Sequence, residues 1–406
     1  MMTVERNIRL LKWFNFWGDF RPYGPIAILY YSQITGSYAL GMSVFSAAML
    51  AQSFFEVPTG VLSDMVGRKK TVVYGAVAGV FALIFYAIGG TYAALLIGAI
   101  FEGLGRAFYS GNNEALLYDT LSEMGKRETF QEYLGITSSM YQFALAISAV
   151  LGSLIAIISY HTVMIVSVLP MVFALIVSVR LIEPHVHSAT NSNIYAHLST
   201  AFRNIVRNAR LRTLSIAGIL SYAIGESSWL IRSAFIVTLW PVWAIGIAQM
   251  IGNATAAISF YYAGRIIKRF GEFRLLIGGS LISEAVNLFG LIFASVVSPA
   301  LMASNSIFFG VNNVAKQSLV QHEFSDEQRA TMGSLNSFAG SIAFSVFSFL
   351  LGGLADRIGI VPALIFASLL SLIPMALYFH VLRPRAGEMN SVEAIEVTPT
   401  KSGEAV

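Results

Sequence analysis

Gly60-Val61-Leu62-Ser63-Asp64-Met65-Val66-Gly67-Arg68-Lys69-Lys70 is the most charged short run between two long apolar segments in the first third of the chain. Apolar residues lead into it from Ala39 to Val61 and out of it from Thr71 to Ile88. This is the composition of a hairpin between two membrane helices. Glycine permits a tight turn and close helix approach. The basic triplet Arg68, Lys69, Lys70 holds such a turn on the cytoplasmic side. Asp64 and Arg68 are spaced to clamp neighbouring helix ends.

The whole chain agrees with that reading. Of 406 residues, 56% are hydrophobic and 12% charged, against about 25% charged in a soluble protein, and the mean hydropathy is +0.67. No soluble core hides so much apolar sequence, so the solvent is the bilayer. The net charge of +4 comes from loop Lys and Arg and does not suggest a nucleic-acid partner. The absence of Cys excludes disulfides, thiolate metal sites and Cys nucleophiles. Arg6, Arg9 and Lys12 precede an apolar run with no small-residue cleavage site, which reads as a retained first helix.

Apolar runs of roughly 20 residues predict an all-α polytopic membrane protein of twelve helices. Helices 1 to 6 fall roughly at 9–31, 39–61, 71–90, 93–118, 133–157 and 162–182, and helices 7 to 12 at 212–238, 241–264, 273–296, 299–322, 332–355 and 360–382. The domain reading is a six-helix half over 1–184, a cytoplasmic linker over 185–210, a second half over 211–384 and a disordered cytoplasmic tail over 385–406. Placing the N-terminus inside puts Arg68, Lys69, Lys70, Lys126, Arg127, Arg265, Lys268, Arg269 and Arg274 in inner loops, while Ser32–Tyr38, Gly89–Tyr92 and Ser295–Pro299 carry no basic residue. Arg357 is the exception. The bias sets both termini on the cytoplasmic side, and compact loops fit a bacterial inner membrane. The halves also repeat: a shift of 204 lays Gly60, Gly67 and Gly75 on Gly264, Gly271 and Gly279, although Asp64 falls on Lys268 and Arg68 on Glu272, with the charges reversed.

Gly60-x-Leu62-x-Asp64-x-x-Gly67-Arg68-Lys69-Lys70, preceded by Glu56-Val57-Pro58-Thr59, resembles the loop between helices 2 and 3 of the major facilitator superfamily. The resemblance implies two six-helix halves with substrate bound between them near the midplane. It implies a cavity lined by helices 1, 4, 7 and 10, and alternating access in which the Asp64/Arg68 loop clamps the cytoplasmic side. Asp356-Arg357 after Gly352-Gly353 resembles a second copy of the gating turn.

Ionisable residues at membrane depth are costly and face a cavity or a partner. In helix 1, Asn15, Asp19, Tyr23 and Tyr30 share one face, Arg21 points elsewhere, and Pro22 and Pro25 break or kink the helix. In helix 4, Glu102, Arg106, Tyr109 and Asn113 form one stripe, with Glu102 and Arg106 at the pairing interval. They read either as cavity lining or as an internal ion pair that locks the helix. Helix 7 carries Tyr222, Glu226, Trp229 and Ser233 on one face. Helix 10 carries Asn305, Phe309, Asn312 and Lys316. Glu284 sits mid-helix 9 without an assigned role. His185-x-His187 reads as solvated loop rather than a metal site.

The expected function is secondary active transport of a small organic solute. Proton-coupled export of drug-like or metabolite compounds comes first, and uptake of a possibly anionic solute is the alternative, since helix 5 lacks the proline of the family's antiporters. A non-transporting membrane sensor on the same fold is the reading from another class. A proton is expected on Asp19 first, with Glu226 and Glu102 behind it, because desolvation penalises the charged form of a carboxylate. No phosphate-binding glycine loop, metal motif or nucleophile elbow points to an enzyme or a cofactor. The expected partners are solute, protons and membrane lipid, and the expected state is a monomer.

Overall fold

The computed structural model describes residues 2–184, 207–321 and 326–383. His185, His187, and most of the expected linker and tail lie outside the described residues. Twelve helical rods run back and forth in the order the hydropathy predicts. Helix 1 is Met2–Gly18 followed by Ala27–Thr35; helix 2 is Tyr38–Val66; helix 3 is Arg68–Ile88; helix 4 is Tyr92–Tyr109 followed by Asn112–Glu123; helix 5 is Phe130–Ile155; helix 6 is Tyr160–Val179. Helix 7 is Ala209–Ile236; helix 8 is Ala244–Phe270; helix 9 is Glu272–Ile292; helix 10 is Ser298–Ser304, a 3-10 turn Asn305–Phe308 and Phe309–Gln321; helix 11 is Asp326–Ile358; helix 12 is Ile360–Leu370 followed by Leu372–Leu382.

Nine of the rods are long and apolar enough among the described residues to cross a membrane. The three that fall short are helices 1, 8 and 10. Helix 1 is broken where the prolines predict. Its regular hydrogen bonding stops at Gly18, Asp19 to Pro22 are non-helical, and a 3-10 turn at Gly24–Ile26 restarts it. Proline supplies no N–H and cannot continue the ladder. The opened backbone is covered, since any side chain at Gly152 of helix 5 would run into the Pro22 carbonyl. Helix 10 is interrupted by a 3-10 turn at Asn305–Phe308.

The duplication is visible in the turns. Gly67 between helices 2 and 3 has φ +100° and ψ 156°, and Gly271 between helices 8 and 9 has φ +80° and ψ 146°. L side chains rarely adopt that conformation, so glycine is needed at both. The reversed charges alter what each turn holds: Arg68 faces Asp64 and Asp119, whereas Glu272 accepts a hydrogen bond from Ser318 of helix 10 at 2.5 Å.

One end of the bundle carries the basic turns Arg68–Lys70, Lys126–Arg127 and Lys268–Arg269. The described contacts between the halves gather towards the opposite, non-basic end. Helix 2 runs antiparallel to helix 11, with Ser46 Oγ 2.7 Å from Ser348 Oγ and 3.3 Å from the Ser345 carbonyl. Helix 5 meets helix 8 so closely that a Cβ on Gly246 would lie 2.5 Å from the Ala149 carbonyl oxygen. Between lipid-solvated helices, association comes from such backbone approach rather than from apolar burial.

Gly103 shows the same device inside the first half, where a Cβ would collide with the Ala48 carbonyl of helix 2. Gly103→Val is expected to lower unfolding stability in detergent by about 2 kcal/mol, the cost of overpacking a tight site. A melting curve unchanged from wild type would show that helices 2 and 4 do not pack as described.

Candidate functional site

Glu102 is the centre of the polar interior of the first half. Its side chain is 13% exposed, and it accepts three hydrogen bonds. Arg106 Nη2, one turn along helix 4, donates to Oε1 at 2.6 Å. Tyr23, just past the break in helix 1, donates to Oε1 at 3.0 Å. Tyr86 of helix 3 donates to Oε2 at 2.7 Å. The spacing of Glu102 and Arg106 foretells the first contact. Tyr86 has no sequence signal, because it arrives from another helix.

Asp19 and Arg21 sit beside this group. Arg21 Nη2 donates to Asp19 Oδ1 at 2.8 Å. The expectation that Arg21 points away from Asp19 is therefore corrected. It assumes 100° per residue through a segment that is not helical. Around them, Phe20, Arg21, Tyr23, Glu102, Arg106 and Tyr109 line a narrow cleft closed by Gly79, Gly105 and Met171. Tyr109 packs its ring edge-to-face on Phe14 at 5.3 Å, and its buried hydroxyl has no hydrogen-bond partner among the described residues. Asn113 donates to Asn15 Oδ1 at 3.4 Å, joining helices 4 and 1.

The second half contributes differently. Tyr222 is 40% exposed and reaches across to the first half, its hydroxyl 3.7 Å from Met49 Sδ of helix 2. Glu226, one turn on, forms no hydrogen bond or ion pair among the described residues and lies within electrostatic reach of Arg106. Trp229 continues the stripe and is 51% exposed. Tyr141 of helix 5 falls in the field of Asp19, Arg21, Arg106 and Glu226 together; sequence reading missed it as one tyrosine in an apolar helix. Lys316 is half-buried in helix 10, with no partner among the described residues.

Asn305 and Asn312 do not join the cavity stripe expected for helix 10. Asn305 Nδ2 donates to the Ser283 carbonyl at 2.8 Å and to Asn287 Oδ1 at 3.1 Å, both on helix 9. Asn312 fills the space that Gly279 of helix 9 leaves open. The two asparagines share one face, as a spacing of seven predicts, and that face packs on helix 9. Glu284 gains a setting there, beside Asn287, Ser368, Ser371 and Arg232 of helix 7.

The loop between helices 2 and 3, expected to gate, is fully placed. Arg68 lies 3.7 Å from Asp64 and 3.6 Å from Asp119 of helix 4. Glu183, after helix 6, accepts from the backbone N–H groups of Arg68 and Lys69 at 2.7 and 2.8 Å. A Cβ on Gly67 would meet that carboxylate. Gly60 has open space around it. Asp64 is 57% exposed, and its ion-pair partner among the described residues, Arg68, belongs to the same loop.

The family model described as Major Facilitator Superfamily matches residues 11–348. The chain belongs to that superfamily. An uncharacterised transporter of the superfamily type from Methanocaldococcus jannaschii is 21% identical over 386 residues, covering 92% of this chain and 97% of its own. Among solved structures, the nucleoside transporter NupG superposes with a TM-score of 0.79 at 14% identity, covering 93% of this chain and 99% of its own. A bacterial homologue of the human lysosomal transporter Spinster, inward-facing and unoccupied, gives 0.73 at 14% identity, with 94% and 97% covered. The superfamily member described here is thus a multi-pass membrane protein of a transporter family, with the fold expected of one.

Glu102 and Arg106 support each other in a low-dielectric interior, so removing either leaves a buried charge. Glu102→Ala and Arg106→Ala are each expected to cost ~2–3 kcal/mol in detergent melts, at the low end for such pairs because Arg106 is 34% exposed. The double variant is expected to lose less than the two single losses added. Strict additivity would mean that the pair does not form.

Proposed function

We propose that this superfamily member moves a small organic solute by alternating access and couples the movement to protons, with export as the working direction and the basic end facing the cytoplasm. The observation that supports the coupling is that Glu226 forms no hydrogen bond or ion pair among the described residues. Asp19 and Glu102 are each held by a guanidinium, at 2.8 and 2.6 Å. A carboxylate already neutralised by an arginine has little to gain from a proton. Among the described residues Glu226 has no such partner; it lies within electrostatic reach of Arg106 of the other half and stands between Tyr222 and Trp229 on its helix, both of them exposed. The coupling role therefore passes from Asp19 to Glu226.

The cycle follows from charge. Ionised Glu226 is attracted to Arg106 across the cavity, or to a cationic group on a solute held among Tyr222, Trp229 and Tyr141. Protonated Glu226 releases both. The halves can then close with no uncompensated carboxylate between them, and the proton leaves on the other side. Asp19–Arg21 and Glu102–Arg106 stay paired throughout and fix the wall of the first half. The aromatic and thioether surface of Tyr222, Trp229, Tyr141 and Met49 supports solutes with substantial apolar area. Lys316, which has no partner among the described residues, supports the second reading, uptake of an anionic solute.

The test begins with growth tolerance to a compound panel in a host stripped of its own efflux pumps, comparing empty vector, wild type and Glu226→Gln at matched membrane expression. Wild type is expected to raise tolerance to a subset of compounds; sensitisation would reverse the direction to uptake. In proteoliposomes, with one compound from that subset, Glu226→Gln is expected to lose movement driven by a pH gradient at least tenfold. It should retain solute exchange, because glutamine mimics the protonated state. Undiminished gradient-driven movement in this variant would remove Glu226 from the coupling step.

A further inference from the structure

Helix 11 ends in Gly352-Gly353-Leu354-Ala355-Asp356-Arg357-Ile358-Gly359. Its glycine, leucine, aspartate and second glycine fall at the intervals of Gly60, Leu62, Asp64 and Gly67 at the end of helix 2. The backbone repeats as well: Gly359 has φ +91° and ψ 163°, beside φ +100° and ψ 156° at Gly67. The two turns lie in opposite halves and at opposite ends of the molecule.

The carboxylate of Asp356 is fully engaged. Tyr38 N donates to Oδ1 at 2.6 Å, and Ser37 Oγ and Ala39 N donate to Oδ2 at 2.6 and 3.0 Å. These amides belong to the first turn of helix 2, whose N–H groups have no partner within their own helix and form the positive end of its dipole. The approach is tight, with a Cβ on Gly352 placed 2.6 Å from the Tyr38 carbonyl oxygen. The seam continues inward through Ser46, Ser345 and Ser348.

We propose that Asp356 is the latch of the non-basic end, joining the two halves by capping helix 2, and that it is the counterpart of Asp64. Helices 2 and 11 run antiparallel, and the register that sets Tyr38 against Asp356 and Ser46 against Ser348 carries Asp64 towards the first turn of helix 11, which starts at Asp326. Each helix thus ends in an aspartate aimed at the start of the other. Asp356 is engaged here, while Asp64 is exposed and holds Arg68 of its own loop at 3.7 Å. Rocking that brings Asp64 onto helix 11 draws the first turn of helix 2 off Asp356, so the two latches exclude each other. The inference rests on the alternating-access reading above.

The chain has no cysteine, so an introduced pair is a unique probe. Ile158→Cys and Val297→Cys, 76% and 68% exposed, place one spin label on each half at the non-basic end. Distance distributions from electron–electron double resonance on the full chain in lipid nanodiscs read the gap. In this background Asp356→Ala is expected to raise the ratio of long to short distances roughly tenfold, the scale of a lost helix cap. Asp356→Asn, which retains one acceptor, is expected to give a smaller shift in the same direction, and it supplies the reading should the alanine variant not accumulate. Gly352→Leu, a wedge against Tyr38, is the control for rocking itself. A wedge that lengthens the distance while neither Asp356 variant does so overturns the latch and leaves rocking intact. If neither the wedge nor an Asp356 variant moves the distance, alternating access fails and the latch with it. Failure of both Asp356 variants to accumulate would assign Asp356 to folding and overturn the proposal.

Discussion

A charge inside a bilayer has to be answered by another group, and Glu102 is where this fold answers it most completely. One carboxylate takes hydrogen bonds from Arg106 on its own helix, Tyr23 at the broken part of helix 1 and Tyr86 on helix 3. Three helices are thereby fixed about one atom pair, in surroundings where an unanswered charge costs several kcal/mol. The break in helix 1 depends on the same arrangement. Backbone that leaves the helical ladder at membrane depth is tolerated only where protein covers it, and here Gly152 of helix 5 closes over the Pro22 carbonyl.

Close approach is the second constraint, and it explains where glycine and serine fall. Helix 2 meets helix 4 at Gly103 and helix 11 at Gly352, with Ser46 and Ser348 at hydrogen-bonding distance between. Helix 2 is therefore packed on both sides, within its own half and across to the other. A rigid element so placed transmits any movement of its ends, and both its ends are built as turns around charged groups. At the basic end, Glu183 and Asp119 hold the Gly67 turn to helices 3, 4 and 6. At the other, the cap on Ser37–Ala39 comes from the opposite half.

The sequence displays the spans because burial in lipid is written as length and hydropathy, and each predicted run contains the middle of an observed helix. It displays the Glu102–Arg106 contact because residues four apart share a helix face. It fails where that geometry stops. Asp19 and Arg21 meet because the segment joining them is not a helix, and Asn305 and Asn312 share the face their spacing predicts, but spacing does not reveal that this face packs on helix 9. Tyr86, Tyr141 and Met49 were beyond reach for a different reason: they enter the site from other helices, and a lone polar or sulfur atom in an apolar run does not name its partner. The gating loop was legible as a motif, but the part played by Glu183 depends on where helix 6 ends in space.

The division of labour among the acidic residues follows from these same constraints. Asp19 and Glu102 each carry an arginine partner, and on the proposed alternating-access cycle only a carboxylate with a permanent cation stays ionised through a closed state. Both pairs lie within the first half, so on the proposed cycle their charges stay compensated whatever the solute site holds. Glu226 sits on the second half, and Arg106, the cation within its electrostatic reach among the described residues, belongs to the first. The strength of their attraction therefore changes with the separation of the halves, while that of the other two pairs does not. A titratable group whose electrostatic partner lies across the moving boundary senses conformation directly, and conformation in turn sets its affinity for a proton. This reciprocity is what linkage requires of a coupling residue, and a pair contained within one rigid half cannot supply it.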